Sequence, residues 1–318
     1  NLNFNGDIIS HEGSPSYQYG QKLKSSFPEI REVAMTTTVL NHVVALDDRG
    51  FTRKAMFADP QFVDMFTMNI VQGSGTMSDP RSAIVSRTFA EALDNDVVGK
   101  MIRFDNRHDL TIAGVFEDFP VNSQYAEVSM LIPMDFYPLV DEVSKSIYES
   151  ADAFEFVCLI LTHDGIDPVS LNSKIRDVVF NDAGPGVKSL DPRSFVFPMV
   201  DWNLRANFEN GESTGGKIQF VWLFSIVGAF VLLLACINFM NLSTARAEKR
   251  SKEVGVRKVM GSLQGQLIAQ FLSESFIIVL IAFVASLLLV QLSLPLYNII
   301  TEKRLAIPFT EFWFIASC

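Results

Sequence analysis

The sequence is poor in cysteine and histidine, and it lacks the groupings that catalysis needs. Its 318 residues hold 3 cysteines, Cys158, Cys236 and Cys318, too few and too scattered for a disulfide framework. The 4 histidines, His11, His42, His108 and His163, have no partner at i+3 or i+4, so there is no metal-ligand spacing. Gly73-Ser74-Gly75 lacks the G-x-S-x-G pattern of a nucleophile elbow. The acidic pairs Asp47-Asp48 and Glu117-Asp118 fall in turns or at strand ends, where solvated carboxylates are ordinary. No catalytic residue, metal or cofactor is expected. The chain starts at NLNFNGD with no initiator Met and no secretory signal, and it stops at FWFIASC within an apolar stretch. It therefore reads as a fragment of a longer protein. Internal repeats and low-complexity tracts are absent too.

Basic charge is scarce outside one place. The net charge is −10, yet Leu242 to Ala269 carries +4, which leaves −14 on the remainder. An acidic remainder excludes nucleic acid as a partner, because binding phosphates needs clustered Lys and Arg. The basic cluster lies between two long apolar runs. From Ile218 to Ala245 and from Ser275 to Thr301 there is no charged side chain, and about 20 apolar residues suffice for a membrane-spanning helix. The expected spans are about 218–242 and 268–296, with Trp222 and Pro295 marking outer ends. Phe309 to Cys318 is expected to begin a further span. The positive-inside rule places the segment from 242 to 267 in the cytoplasm and residues 1–216 outside.

Residues 1–216 have the texture of an α+β domain, because strands and helices are mixed without strict alternation. Helices are expected at Ser16–Phe27, Pro60–Phe66, Thr88–Leu93, Asp135–Tyr148 and Asp167–Val179. Val33–Leu40 and Phe51–Ala58 are expected as a hairpin across the turn LDDRG. Further strands are expected at Ala83–Ser86, Met101–Phe104, Leu110–Phe116, Ala126–Pro133 and, as a buried one, Phe154–Thr162. A boundary inside the domain is expected between about Val121 and Tyr125, and the polar stretch Asn207–Gly216 reads as a flexible lead into the membrane.

One motif is a decoy. GESTGGK, Gly211 to Lys217, fits the first seven positions of a phosphate-binding loop, but Ile218 stands where a Ser or Thr should hold magnesium, and the helix it opens is a membrane helix. Polar groups inside the spans are few. Asn238 and Asn241 either hydrogen-bond to a neighbouring helix or lie among headgroups. Glu274 is a functional candidate, or else it reaches water or a cation of the basic segment.

The basic segment LSTARAEKRSKEVGVRKVMGS, Leu242 to Ser262, carries the most information. If it is helical, Arg246, Arg250 and Arg257 fall on one stripe, and Val256, Val259, Met260 and Leu263 on another. Glu248 to Lys252 and Glu253 to Arg257 are favourable i,i+4 pairs. Gly255 weakens the middle, and Gly261 is a natural stop. Such a helix could dock on a cytoplasmic partner, or it could lie on anionic lipid.

ACINFMNLSTARAEKRSKEVGVRKVMGSLQGQLIAQFLSESF, Ala235 to Phe276, resembles the FtsX-like permease module of MacB-type ABC transporters. FADPQFVDMFTMNIVQGS, AIVSRTFAEAL and DVVGKMIRFDNRHDLTIAGVFEDFPVNSQ resemble the MacB-type periplasmic core in the same order. The resemblance implies an α+β periplasmic core at 1–216 followed by an α-helical permease domain at 217–318, in a bacterial inner membrane. It also implies an ABC ATPase partner, a second permease copy and a periplasmic or outer-membrane partner. By the same resemblance the ATPase contact falls on Glu253, Val254, Gly255, Val256, Arg257, Lys258 and Gly261, beside Arg246 and Arg250. The expected role is a permease that transmits ATP-driven movement to the periplasm to expel peptide, drug or lipoprotein cargo. The alternatives are a regulatory complex that transports nothing, or a ligand-sensing receptor.

Overall fold

Six strands pair edge to edge into a closed ring with apolar residues on its inner face. A computed structural model describes residues 2–4, 7–10, 15–47, 49–94, 96–209, 212–259, 264–301, 305–312 and 314. The chain forms two compact units, Asn1–Val221 and Trp222–Cys318.

In the first unit, β1 (Leu2–Phe4) and β2 (Asp7–Ser10) pair as a short hairpin. Helix α1 (Tyr17–Ser26) follows Ser16 and stops before Pro28. Then come β3 (Ile30–Thr36), β4 (Leu40–Leu46), β5 (Arg49–Ala58), α2 (Gln61–Met65), β6 (Ile70–Gly73) and β7 (Ser82–Ser86). Ser86 accepts a hydrogen bond from the N–H of Phe89 and so caps α3 (Arg87–Leu93). Strands β8 (Met101–Phe104) and β9 (His108–Phe116) turn through Asp105 and Asn106, both left-handed, as a tight hairpin requires. After β10 (Met130–Pro133), a 3-10 turn at Met134–Leu139 leads to α4 (Glu142–Glu149), which Asp141 caps. The unit continues with β11 (Val157–Thr162), α5 (Pro168–Ile175), α6 (Val178–Asp182) and α7 (Pro185–Lys188). It ends with α8 (Trp202–Arg205), β12 (Asn207–Glu209) and β13 (Glu212–Gly215).

The main sheet runs β10-β7-β9-β8-β4-β5-β3-β11, with β6 on β9, and β10 also pairs in parallel with β5. Strands β5, β4, β8, β9, β7 and β10 therefore close on themselves, and β3 and β11 extend the sheet past the ring. Alternation then sorts the side chains. Ala55 and Phe57, Ala83 and Val85, Met130 and Ile132 join one core with Val44, Ile102, Phe104, Leu110 and Ile112. Met56 and Ala58, Ile84 and Leu131 join a second core with Phe62, Phe116 and Tyr125. Successive strand residues point to opposite faces, so the first core fills the ring and the second coats its outside. Helix α3 lays Phe89 and Leu93 into the inner core, where the Arg53 guanidinium sits 5.0 Å from the Phe89 ring.

Several expectations need correction. The run read as one strand from Val33 to Leu40 is two strands. Thr37 breaks it, giving its N–H to the Phe57 carbonyl and accepting from the Phe57 N–H on its side chain. The hairpin across LDDRG is β4 with β5. The helix expected over Asp135–Tyr148 is interrupted by the 3-10 turn that contains Pro138. The strand expected from Phe154 begins at Val157 and is only half-buried beyond Leu159, because β11 ends the sheet. Val121 to Tyr125 marks no division, since β10 just after it pairs with both β5 and β7. Asn207–Gly216, expected as a flexible lead, contains the β12–β13 hairpin.

The second unit is built on α9 (Lys217–Val259) and α10 (Gln264–Thr301). Lys217–Arg246 and Ile268–Ile300 are long and apolar enough to cross a membrane, with mean hydropathy 2.7 and 2.8, and neither is buried. Pro295, expected to mark the outer end of the second span near Leu296, lies inside α10, and the apolar window runs on to Ile300. Residues 309–312 and 314 make a turn and isolated helical positions, while 313 and 315–318, where a further span was expected to begin, lie outside the described residues.

Candidate functional site

Up to Val259 the basic segment is the end of a longer helix. Helix α9 has 43 residues. At 1.5 Å per residue it reaches about 65 Å, roughly twice the hydrocarbon thickness of a bilayer. The apolar window ends at Arg246, and the helix runs on through Gly255 to Val259. Positions 246, 250, 253, 254, 255, 256, 257 and 258 thus lie on one continuous helix. By helical spacing 246, 250, 253 and 257 share a stripe. Arg246, Gly255 and Val256 are exposed, and nothing lies within 4 Å of where a Cβ on Gly255 would be. Gly261, with Met260 and Leu263, lies outside the described residues.

Asn238 and Asn241 are exposed on α9, and Glu274 is half-buried on α10. The hydroxyls of Thr244, Ser273, Ser286 and Ser293 bond back to carbonyls of their own helix, so they need no partner elsewhere. Asn298 exchanges two hydrogen bonds of 2.9 Å with the backbone of Leu305, tying the end of α10 to the chain beyond it. Its signal in the sequence is only an amide among apolar residues.

In the first unit two polar centres form that leave no mark in the sequence. Asp59 is 5% exposed at the end of β5. Its carboxylate accepts from the Met35 N–H at 2.9 Å and the Tyr17 hydroxyl at 3.2 Å. Burial raises its pKa to about 6 against those two hydrogen bonds, which stabilise the anion; nearby Asp135 adds to the rise and Lys24 opposes it. Tyr17 stacks on Tyr148, and its own pKa is raised, first by burial and then by Asp59. His42 Nδ1 lies 2.8 Å from Asp105, whose other oxygen accepts from the Val43 N–H, and its ring stacks on Phe104. Burial pushes the Cys158 thiol up to about 12, so it stays an unreactive thiol. Among the described residues no group of three or more His, Cys, Asp or Glu could hold a metal.

The phosphate-loop decoy is a hairpin arm. Glu212–Gly215 is β13, where Thr214 bonds to Asn207, and the helix that follows is the first candidate span.

A family model for the MacB-like periplasmic core domain matches residues 5–178, more than half of the chain, and one for the FtsX-like permease C-terminal region matches residues 225–317. The chain belongs to the FtsX-like permeases with a MacB-like periplasmic core. It is 24% identical over 266 residues to a macrolide export ATP-binding/permease protein MacB from Bdellovibrio bacteriovorus, covering 80% of this chain and 38% of that one. It is 33% identical over 78 residues to an uncharacterized ABC transporter permease, YknZ, from Bacillus subtilis, covering 24% of this chain and 19% of that one. The chain thus spans well under two thirds of these relatives' length. The periplasmic region of MacB from Actinobacillus actinomycetemcomitans superposes with a TM-score of 0.43 at 13% identity, over 57% of this chain and 81% of that one. The mixed α/β unit is the MacB-like core, and the two apolar helices belong to the FtsX-like part.

Proposed function

We propose that this FtsX-like permease works as the membrane subunit of a mechanotransmitting ABC transporter, with a separate ATPase and a second permease copy as partners. One observation carries the reading. A single helix, α9, starts one residue after the β12–β13 hairpin and continues past its apolar window into the basic segment. A push on that segment would travel along a hydrogen-bonded rod and would not be lost in a loop. Residues 1–216 then face the periplasm and residues 217–318 form the permease domain, in a bacterial inner membrane. The ATPase contact falls on Arg246, Arg250, Glu253, Val254, Gly255, Val256, Arg257, Lys258 and Gly261. The cargo class is peptide, drug or lipoprotein.

Charge reversal at the basic end tests this. Arg257→Glu with Lys258→Glu should lower co-purification of the ATPase at least tenfold while leaving membrane insertion intact. Unchanged co-purification and unchanged ATPase stimulation would sink the reading.

A further inference from the structure

Helix α2 ends on a strained residue. The Met68 N–H donates to the Val63 carbonyl at 3.0 Å and the Thr67 N–H to the Asp64 carbonyl at 3.1 Å, the two bonds of a Schellman stop. The residue that turns the chain in such a stop is left-handed and usually glycine. Here it is Thr67, with φ +49°. Among the described residues the other non-glycine positions with positive φ are Asp47, Asp105, Asn106 and Asp191, short polar side chains that tolerate the region. A β-branched residue there is an outlier, and strain of that kind collects at ligand sites.

Thr67 lines a cleft of about 460 Å³ between the end of α2 and the loop after β6, a size that suits a small ligand. Val63, Met68, Ile70 and Met77 supply its apolar surface. Gly75 has no positive φ, so what it supplies is room: a Cβ there would lie 2.7 Å from Ile70 Cγ1 and 3.5 Å from Val63 Cγ1. The charge of the lining has one sign. Asp64 belongs to it, and no Lys or Arg does. Several exposed acids of this unit have a lysine partner, Asp182 with Lys22, Glu32 with Lys24, Glu127 with Lys54 and Asp94 with Lys100. Among the described residues Asp64, which is exposed beside the apolar surface, has no cation within ion-pair distance.

We infer that this cleft binds a small amphipathic amine. The apolar body lies on Val63, Met68, Ile70 and Met77, and the ammonium group sits on the Asp64 carboxylate, with the Thr67 hydroxyl as a second acceptor. A neutral or anionic ligand of the same shape would leave that carboxylate unmatched. The site stands within the first unit and needs neither an ATPase nor a second copy.

The experiment uses the full protein in nanodiscs with methyl-13C methionine, the Met68 and Met77 signals being assigned with Met68→Leu and Met77→Leu. The probe is 4-phenylbutylamine; uncharged 4-phenylbutanol controls for partition into lipid, and Met101, exposed on β8, is the remote signal. The amine should shift Met68 and Met77 saturably and leave Met101 in place. The alcohol should bind at least tenfold more weakly. Asp64→Asn, at an exposed position, should weaken the amine at least fivefold and leave the alcohol unchanged. Thr67→Gly should raise the melting midpoint by relieving strain, yet weaken the amine at least threefold. No saturable shift at the two methionines, equal affinity for amine and alcohol, or undiminished amine binding in Asp64→Asn overturns the site. A Thr67→Gly protein that binds as the parent does removes Thr67 from it.

Discussion

Asp59 and Met35 pair as though both were backbone. The Asp59 N–H donates to the Met35 carbonyl at 2.9 Å, and the Met35 N–H donates to the Asp59 carboxylate, also at 2.9 Å. A side-chain oxygen thus extends the ladder between β3 and β5 one step beyond the Thr36–Ala58 pair, at the point where β5 turns into α2.

That pairing gives a pH dependence. The Asp59 pKa is raised from 3.8 to about 6 by folding, so its stabilising contribution is fully present below about pH 4 and is lost as the pH rises through about 6. The loss amounts to about 3 kcal/mol at neutral pH. Asp59→Asn keeps an acceptor for Met35 and a polar partner for Tyr17 without the charge. It should therefore melt higher than the parent at pH 7.5 and should lack the parent's fall in stability between pH 4 and 6. Parallel melting curves for the two proteins across that range would refute the assignment.

Gly73 and Gly114 are register partners where β6 crosses β9. A Cβ on Gly73 would lie 2.4 Å from the Ala113 carbonyl oxygen, in a backbone already at φ +68°. Gly99 has φ +84° with nothing within 4 Å. Gly99→Ala should lower stability by about 1 kcal/mol from backbone strain alone. Gly73→Ala should lose at least about 2 kcal/mol more, because the β6 pairing must shift as well. Chemical denaturation of both variants compares them directly.

Phe57 is 5% exposed and meets the rings of Phe104, Phe136 and Tyr137 inside the strand ring. Phe57→Ala should destabilise the first unit by about 3–5 kcal/mol, the usual range for emptying such a site. Phe57→Leu should recover more than half. Denaturation midpoints measure both.

Topology can be read with protease. Cleavage added to spheroplasts should remove residues 1–216 and leave the segment near Arg257 intact; the opposite pattern would reverse the assignment. Leu233→Arg, in the middle of the first candidate span, should lower membrane insertion by an amount equivalent to about 3 kcal/mol. Carbonate extraction reports that loss.

Local signals made much of the first unit legible. The Pro60 start of α2, the strand-to-helix step at Ser86, and the DNRHD turn between β8 and β9 each depend on neighbours in sequence. What depends on distant partners was hidden. The break at Thr37 lies within continuous β-forming sequence, and its cause, Phe57, is 20 residues away. The parallel pairing of β10 with β5 leaves no mark in either strand, since inward and outward residues are both apolar in a ring coated on its outside. Asp59 reads in sequence as an ordinary acid before a helix. In the candidate site, the apolar windows and the basic stripe were visible, but the join of apolar window and basic segment into one helix was not, because Gly255 weakens a helix without deciding whether it breaks.

Ring closure also sets an order in time. Strand β5 pairs with β4 across a two-residue turn, but its other edge waits for β10, some 75 residues later, while β7, β8 and β9 arrive between them. If the chain leaves the translocon from its N-terminus, the Ala55–Ala58 edge stays open, with apolar side chains on both faces, until Met130–Pro133 has been threaded through. Open strand edges of that kind recruit other chains. Export rate and the yield of assembled permease should therefore be linked through this one late pairing, so that slowing translocation beyond residue 60 favours aggregation of the outer domain even in a sequence that is stable once closed.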